Sequence, residues 1–380
     1  MAETTLGALS MAWKRWLFDD ALPLWASAGV NPATGAFEEA IGWDGAFVPA
    51  PLRARVQARQ VYVFATAGAL GWPGPWRERL QGGLDFIAHY RRPDGLYRTK
   101  VDRAGSPVDD TPVLYDQAFF LFAAAAAARL APAQEAALEA DALAHLNAVE
   151  RHFRHPSGGF WEADADRPFQ SNAHMHLLEA MLAWEELTGR PRWRDAADRI
   201  VELCLDRFID RQSGALREFF DAIWSPAPGE LGRIVEPGHQ FEWAWLLKRW
   251  ADKRGHAEAV TAARRLFEIG VTHGVDAARG VAFNALDDGL APLDPVARLW
   301  PQTERVKAAL SLAGDDRDAQ VAAACAGLQR YIKAAPRGLW RDRLKPDDAF
   351  VDEPAPASSF YHIVCALNEL FAAADAFSSP

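Results

Sequence analysis

Cysteine is scarce. The three in 380 residues, Cys204, Cys325 and Cys365, are odd in number and widely spaced, which speaks against a disulfide framework or a cysteine-based metal site and reads as free thiols in a reducing compartment. Hydrophobic runs of membrane-spanning length are missing: the longest uncharged apolar stretch, FFLFAAAAAA at 119–128, is too short to cross a bilayer. A positive excess is missing too. The net charge of −10 argues against a nucleic acid or an anionic membrane surface as partner and leaves a small neutral molecule open. The opening MAETTLGALSMAWKRWLFDD does not have the basic-then-apolar layout of a secretory leader, so the expected location is the cytoplasm. No Ser/Gly tract, charged linker or break in composition divides the chain. The reading is one domain over residues 1–380, present as a monomer or homodimer.

What is present is a repeat. NPATGAFEEA (31–40), RPDGLYRTK (92–100), HPSGGFWEA (155–163), RQSGALREFF (211–220), AARGVAFNAL (277–286) and APRGLWRDRL (335–344) each place a glycine shortly before an aromatic, leucine or other apolar residue. Taking Gly35, Gly95, Gly158, Gly214, Gly280 and Gly338 as markers, the spacings are 60, 63, 56, 66 and 58 residues. Turn formers followed by a short apolar stretch predict a loop or small hairpin at each marker. Between markers Ala, Leu, Arg and Glu dominate and apolar residues recur at three and four, as in ALEADALAHLNAVERHF and RWRDAADRIVELCLDRFI. Each interval has room for two helices. Six helical hairpins closing on themselves make an all-α (α/α)6 barrel; an open solenoid is the alternative, and it would call for more polar terminal repeats.

At a similar distance past each marker, polar groups interrupt the start of an apolar helix. They are Arg59; Asp116 and Gln117; Asn172 and His176; His239 and Glu242; Glu304; and His362. One such group is usually a cap or a satisfied core residue, but six in corresponding places converge at one end of a six-fold barrel. His174 and His176 are two apart and cannot both face inward. The pair His239 and Glu242 lie three apart on one helix face, and no aspartate or cysteine cluster completes a coordination shell around them, so no metal is expected. Fifteen tryptophans, with Trp243, Trp245 and Trp300 flanking these positions, suit a carbohydrate, whose C–H faces pack on aromatic rings.

Five stretches carry a resemblance: RVQARQVY (55–62), SNAHMHLLEA (171–180), EPGHQFEWAWLL (236–247), RLWPQTE (298–304) and SSFYH (358–362). Together they resemble the N-acylglucosamine 2-epimerase superfamily, which includes cellobiose 2-epimerases and mannose isomerases, over nearly the whole chain. The resemblance implies an (α/α)6 barrel, in agreement with the repeat. It implies catalytic roles for His239, Glu242, His362, His176 and Arg59, and sugar contact for Glu304. RLWPQTE is most similar to the mannose isomerase branch. A glycine- and histidine-rich loop associated with nucleotide in some N-acetylglucosamine epimerases is absent.

Removing the proton beside a sugar's carbonyl suits a histidine, whose pKa lies near working pH. The expected scheme has His362 take the C2 proton and His239 deliver a proton, with Glu242 orienting His239. Arg59 stabilises the cis-enediolate and His176 aids ring opening. Asn172, Glu304, Asp116, Gln117, Trp300 and Arg298 are the expected sugar contacts. No cofactor is required. The expected reaction is D-mannose to D-fructose; 2-epimerisation is the alternative, since histidines on different helices permit either outcome. A third reading is an inverting glycoside hydrolase using two of Asp116, Glu242 and Glu304 around a water. The cluster Arg53, Arg55 and Arg59 leaves a phosphorylated substrate open.

Overall fold

Two kinds of helix alternate along the chain, and they differ in how far round each is apolar. The computed structural model describes residues 6–163 and 169–378. After α1 (Leu6–Arg15) and the short α2 (Leu22–Trp25), the first kind comprises α3 (Ala54–Ala69), α5 (Leu114–Leu130), α7 (Ser171–Thr188), α9 (Pro237–Arg254), α11 (Leu299–Leu312) and α13 (Ser358–Ser378). Their early turns are buried on every side, which places them inside the molecule. The second kind comprises α4 (Trp76–Ile87), α6 (Glu135–Phe153), α8 (Pro191–Leu203), α10 (Ala257–Thr272) and α12 (Arg317–Lys333). These bury one stripe: in α8 it is Trp193, Ala196, Ala197, Ile200 and Val201, at helical spacing.

Each inner helix packs on the next, and α13 packs back on α3, so the inner six form a ring. The outer helices back them in order, and α1 takes the sixth outer place against α13. The two ends of the chain therefore complete one hairpin between them. Closure is repeated in the backbone at the mouth where the inner helices begin. Residues 52–53 pair with 100–101, 169–170 with 219–220, 297–298 with 343–344, and 355–356 return to pair with 40–41. Val235 bridges to Leu286, and the Leu114 N–H reaches the Glu162 carbonyl at 2.7 Å. The last repeat thus bonds to the first. This is an (α/α)6 barrel and not an open solenoid.

All six marker glycines have positive φ, from 71° to 89°, which is why glycine recurs at this point of the repeat. At Gly35 space adds to conformation, because a Cβ would lie 2.9 Å from the Gly82 backbone. The loop that follows each marker is clamped to the inner helix. Gln57 both accepts from the Phe37 N–H and donates to its carbonyl, at 2.8 and 2.6 Å. Gln117 does the same for Tyr97, Gln240 for Leu216 and Gln302 for Ala282. Each of these glutamines is the fourth residue of its helix. In α7 the fourth residue is His174, whose Nε2 accepts from the Phe160 N–H at 3.1 Å. In the sixth repeat an apolar contact replaces the hydrogen bonds: Phe360 packs on Trp340, ring centres 5.1 Å apart.

A buried clamp of this kind makes a stability statement. Gln117→Leu leaves the Tyr97 N–H and carbonyl without partners, at roughly 1–3 kcal/mol for each unsatisfied group. Urea unfolding should show a lowered midpoint with an unchanged slope, while sugar turnover persists. Lost turnover at unchanged stability would put Gln117 back among the substrate contacts.

Candidate active site

Where six helix N-termini meet, an apolar core would seal the axis. Here the axis stays open as a cavity of about 210 Å³, lined by Arg59, Tyr115, Asn172, His176, Glu236, His239, Glu242, Arg298, Trp300, Ser358, Ser359 and His362. A roomier cleft of about 390 Å³ lies off the axis, between α6 and α8. Two turns into the inner helices the residues facing the axis are Arg59, Phe119, His176, Glu242, Glu304 and His362. His239 enters from higher up, as the third residue of α9. Trp300 closes one side, its ring 4.9 Å from that of His239 and 5.7 Å from that of His362. That approach depends on Gly238, where a Cβ would meet the indole at 2.4 Å.

The three histidines have different environments. His239 Nδ1 lies 2.7 Å from Glu218 and 3.5 Å from Glu236. Burial disfavours its charge, but these two carboxylates override burial and hold its pKa up at about 10, so it is an imidazolium at neutral pH. His362 Nδ1 lies 2.8 Å from Glu304 Oε1. Burial, with the Arg59 and Lys307 charges, pushes its pKa well below the ordinary value, so it is neutral. His176, 3.4 Å from Glu179, is brought down to about 4 by burial. Glu242 is raised to about 8 by burial and by Glu304, and so carries a proton at neutral pH. One cavity thus holds a charged histidine and two neutral ones.

Arg59 lies between aromatic rings, with its guanidinium 4.2 Å from the Phe119 centre and 5.1 Å from that of Tyr361. It donates to the Tyr115 hydroxyl at 2.6 Å and to the Ser358 carbonyl at 3.3 Å. Among the described residues, several buried polar atoms of the lining have no hydrogen-bond partner in the protein: Arg59 Nε, Asn172 Oδ1, Arg298 Nε and both oxygens of Glu242. Buried groups of this kind are matched by a ligand rich in hydroxyls.

Of the expected site residues, His239, His362, His176, Glu242, Arg59, Asn172, Trp300 and Arg298 share the cavity wall, and Glu304 lies just behind it through His362. Three expectations are corrected. Glu242 does not orient His239. That nitrogen is taken by Glu218 from the preceding loop, and Glu242 instead lies 4.0 Å from His176 and 3.8 Å from Lys307. Asp116 turns away from the cavity to Arg55 at 3.1 Å and Thr99 at 2.6 Å. Gln117 is the loop clamp described above. The arginine cluster also dissolves, since Arg53 is paired with Glu39 and Arg55 with Asp116.

Residues the sequence reading missed are Glu218, Glu236, Tyr115, Glu179, Lys307, Ser358 and Ser359. Two had a signal: Glu179 is three residues after His176 and Lys307 three after Glu304, on the same helix faces. Glu218 recurs with the repeat, four residues after its marker glycine like Glu39, Glu162 and Asp342, but its pairing with His239, 21 residues on, left no trace in the sequence. Among the described residues, three groups of His and Glu donors cluster closely enough to hold a cation: His176, Glu179 and Glu242; Glu218, Glu236 and His239; and Glu242, Glu304 and His362. The fit is poor in two of them. His239 as an imidazolium has no free lone pair, and the Lys307 ammonium sits 2.5 Å from Glu304.

Comparison with known proteins identifies the family of the chain. The family model for N-acylglucosamine 2-epimerase (GlcNAc 2-epimerase) matches residues 35–366. A "Mannose-6-phosphate isomerase" of Rhizobium meliloti (strain 1021) is 49% identical over 366 residues, covering 93% of this chain and 95% of the relative. Among solved structures, a D-mannose isomerase superposes with a TM-score of 0.87 at 20% identity, covering 98% of this chain and 100% of the other. The cellobiose 2-epimerase of Spirochaeta thermophila DSM 6192 gives 0.84 at 22% identity, covering 98% of each chain. The chain therefore belongs to the N-acylglucosamine 2-epimerase family of sugar isomerases and epimerases.

Proposed function

We propose that the protein interconverts D-mannose and D-fructose by proton transfer through a cis-enediolate, without a cofactor. The observation that carries this reading is the pairing of opposite protonation states across one cavity: neutral His362 faces imidazolium His239. With a carboxylate at Nδ1, His362 keeps Nε2 as its basic nitrogen and takes the proton from C2. His239 supplies a proton to the sugar oxygens. Arg59, the cation fixed at the cavity floor, stabilises the enediolate oxygen. His176 and Asn172 hold hydroxyls, and the Trp300 ring packs on the sugar's C–H face. Glu242, protonated, is a hydrogen-bond donor to the substrate.

The size of the cavity supports a single sugar ring. At about 210 Å³ it falls short of the roughly 300–1,000 Å³ usual for drug-sized ligands. Both the 49%-identical relative and the D-mannose isomerase structure carry isomerase names. A second reading, mannose 6-phosphate as substrate, is favoured by the name of that relative and by Arg298 at the rim, whose Nε has no partner although its Nη2 lies 3.4 Å from Asp342. Against it, Arg53 and Arg55 are committed to carboxylates.

Proton NMR of D-mannose, mannose 6-phosphate, D-glucose, cellobiose and N-acetylglucosamine with the protein in deuterated water tests the reading. Fructose should appear from mannose. An aldose inverted at C2, carrying deuterium and with little ketose, would make the enzyme an epimerase, and reaction of the phosphorylated sugar alone would establish the second reading. His362→Ala and His239→Ala should each lower kcat by roughly 10²–10⁴-fold with the fold retained.

A pH profile tests the acid. His239 has a raised pKa, so its charge and the stability its ion pair contributes are present below the ordinary histidine range and lost as pH rises through about 10. Glu218→Gln should therefore bring the alkaline fall of kcat down towards neutral pH. An unmoved alkaline limb would remove His239 as the acid.

A further inference from the structure

Below the layer of Arg59, His176, Glu242, Glu304 and His362 lies a lysine that the proposed chemistry does not use. Lys307 is fully buried. Its Nζ stands 2.5 Å from Glu304 Oε2 and 3.8 Å from Glu242 Oε1, over the Trp245 ring at 4.0 Å from its centre. Cys365 Sγ from α13 lies 3.8 Å away. A lysine sealed from water at this cost is held by its partners, and the partner in contact is also the carboxylate bonded to His362. Lys307, Glu304 and His362 thus form a chain, from the buried floor to the ring that faces the cavity.

We propose that Lys307 is a positioning residue that sets the tautomer of His362 through Glu304. By keeping Glu304 ionised, it makes that carboxylate an acceptor for the Nδ1–H of His362 and leaves Nε2 unprotonated towards the sugar. The inference rests on the isomerase reading for its kinetics, but not for its structural prediction.

The charges around Glu304 say why a lysine is needed. From α7 it faces Glu179 and His176, from α9 Glu242, from α13 His362 and Cys365, and from α3 Arg59 approaches the same histidine. Burial raises the Glu304 carboxyl and Glu179 adds to the rise; Lys307, by charge and by hydrogen bond, is the largest of the effects that oppose both, ahead of His176. Without it, Glu304 takes up a proton at higher pH. A protonated Glu304 presents an O–H to His362 Nδ1, the ring proton moves to Nε2, and the base is lost. Raising the pH ionises Glu304 again and restores it.

Two measurements test this. In protein labelled with ¹⁵N-histidine, His362 should be the Nδ1–H tautomer throughout the neutral range; an Nε2–H tautomer would overturn the proposal. Lys307→Met keeps the length and the packing on Trp245 without the charge. It should lose about tenfold or more in kcat near neutral pH and recover towards alkaline pH, the acid limb of the profile having moved up by about one unit or more. Glu304→Gln, which cannot titrate, should lose activity without that recovery. A Lys307→Met profile that is unchanged, or lowered equally at every pH, would show a merely structural lysine. Should Lys307→Met not fold, the tautomer measurement on the unaltered protein still decides, and it does so even where no sugar is turned over.

Discussion

Six helices that begin at one mouth bring their unpaired backbone donors to the same place, and those donors have to be satisfied without plugging the mouth. The barrel meets this constraint from outside the axis. The stretch before each inner helix bonds to the next repeat, as when the Ser171 N–H reaches the Glu218 carbonyl at 3.1 Å and the Ala357 N–H the Glu39 carbonyl at 2.9 Å. The clamps at Gln57, Gln117, Gln240 and Gln302 then fasten each loop to its own helix. With the backbone served laterally, the side chains one and two turns into each helix are free to point at the axis, and the cavity is what remains between them.

The same lateral bonding puts charge where it is used. Glu218 lends its backbone carbonyl to α7 and its side chain to His239 on α9. A residue that fastens α7 to the next repeat therefore also keeps the proposed acid protonated. Asp342 holds an analogous place in the last repeat, accepting from the Leu299 N–H and bonding the Ser359 hydroxyl at 2.8 Å. Fold and site share their fastenings, and a substitution at Glu218 acts on both. Buried carboxylates at this density repel one another; Glu218 is held by His239, Glu304 by Lys307, and Glu179 by His176 and Tyr361, while Glu242, whose oxygens have no hydrogen-bond partner in the protein, takes up a proton instead.

Much of this was legible in the sequence, for reasons particular to each element. The marker glycines were visible because every repeat needs positive φ at one point, and the inner helices because the polar interruptions recur with the repeat. The interruptions themselves are of two kinds that sequence alone merges. In α3, α5, α7, α9 and α11 the fourth residue clamps a loop and the sixth faces the axis; in α13 these places fall to the third and fifth, Phe360 and His362. Two residues apart on a helix is some 200° of rotation, so Gln117 and His176 do different work although both stand near a helix start. On α5 the axial place is held by Phe119, and the polar pair before it, Asp116 and Gln117, was mistaken for the site. Glu218 recurs with the repeat, four residues past Gly214 as Asp342 is past Gly338, but which helix its side chain serves was beyond reach. The same holds for Tyr115 as the partner of Arg59, a contact that exists only once α3 and α5 are packed.

The chemistry follows from how unequally these environments treat one residue type. Burial disfavours the charge of both histidines; at His239 the Glu218 and Glu236 carboxylates override it, while at His362 the Arg59 and Lys307 charges add to it, so the two settle on opposite sides of neutrality. An enzyme that must take a proton from carbon and give one to oxygen needs that inequality before substrate arrives, since a pair of equal histidines would spend part of the time in the wrong states. Whether the carbon proton returns to C1 or to the far face of C2 is then a matter of where the sugar lies between His362 and His239. In the proposed scheme the Trp300 ring, within 6 Å of both, is the surface against which that position is set.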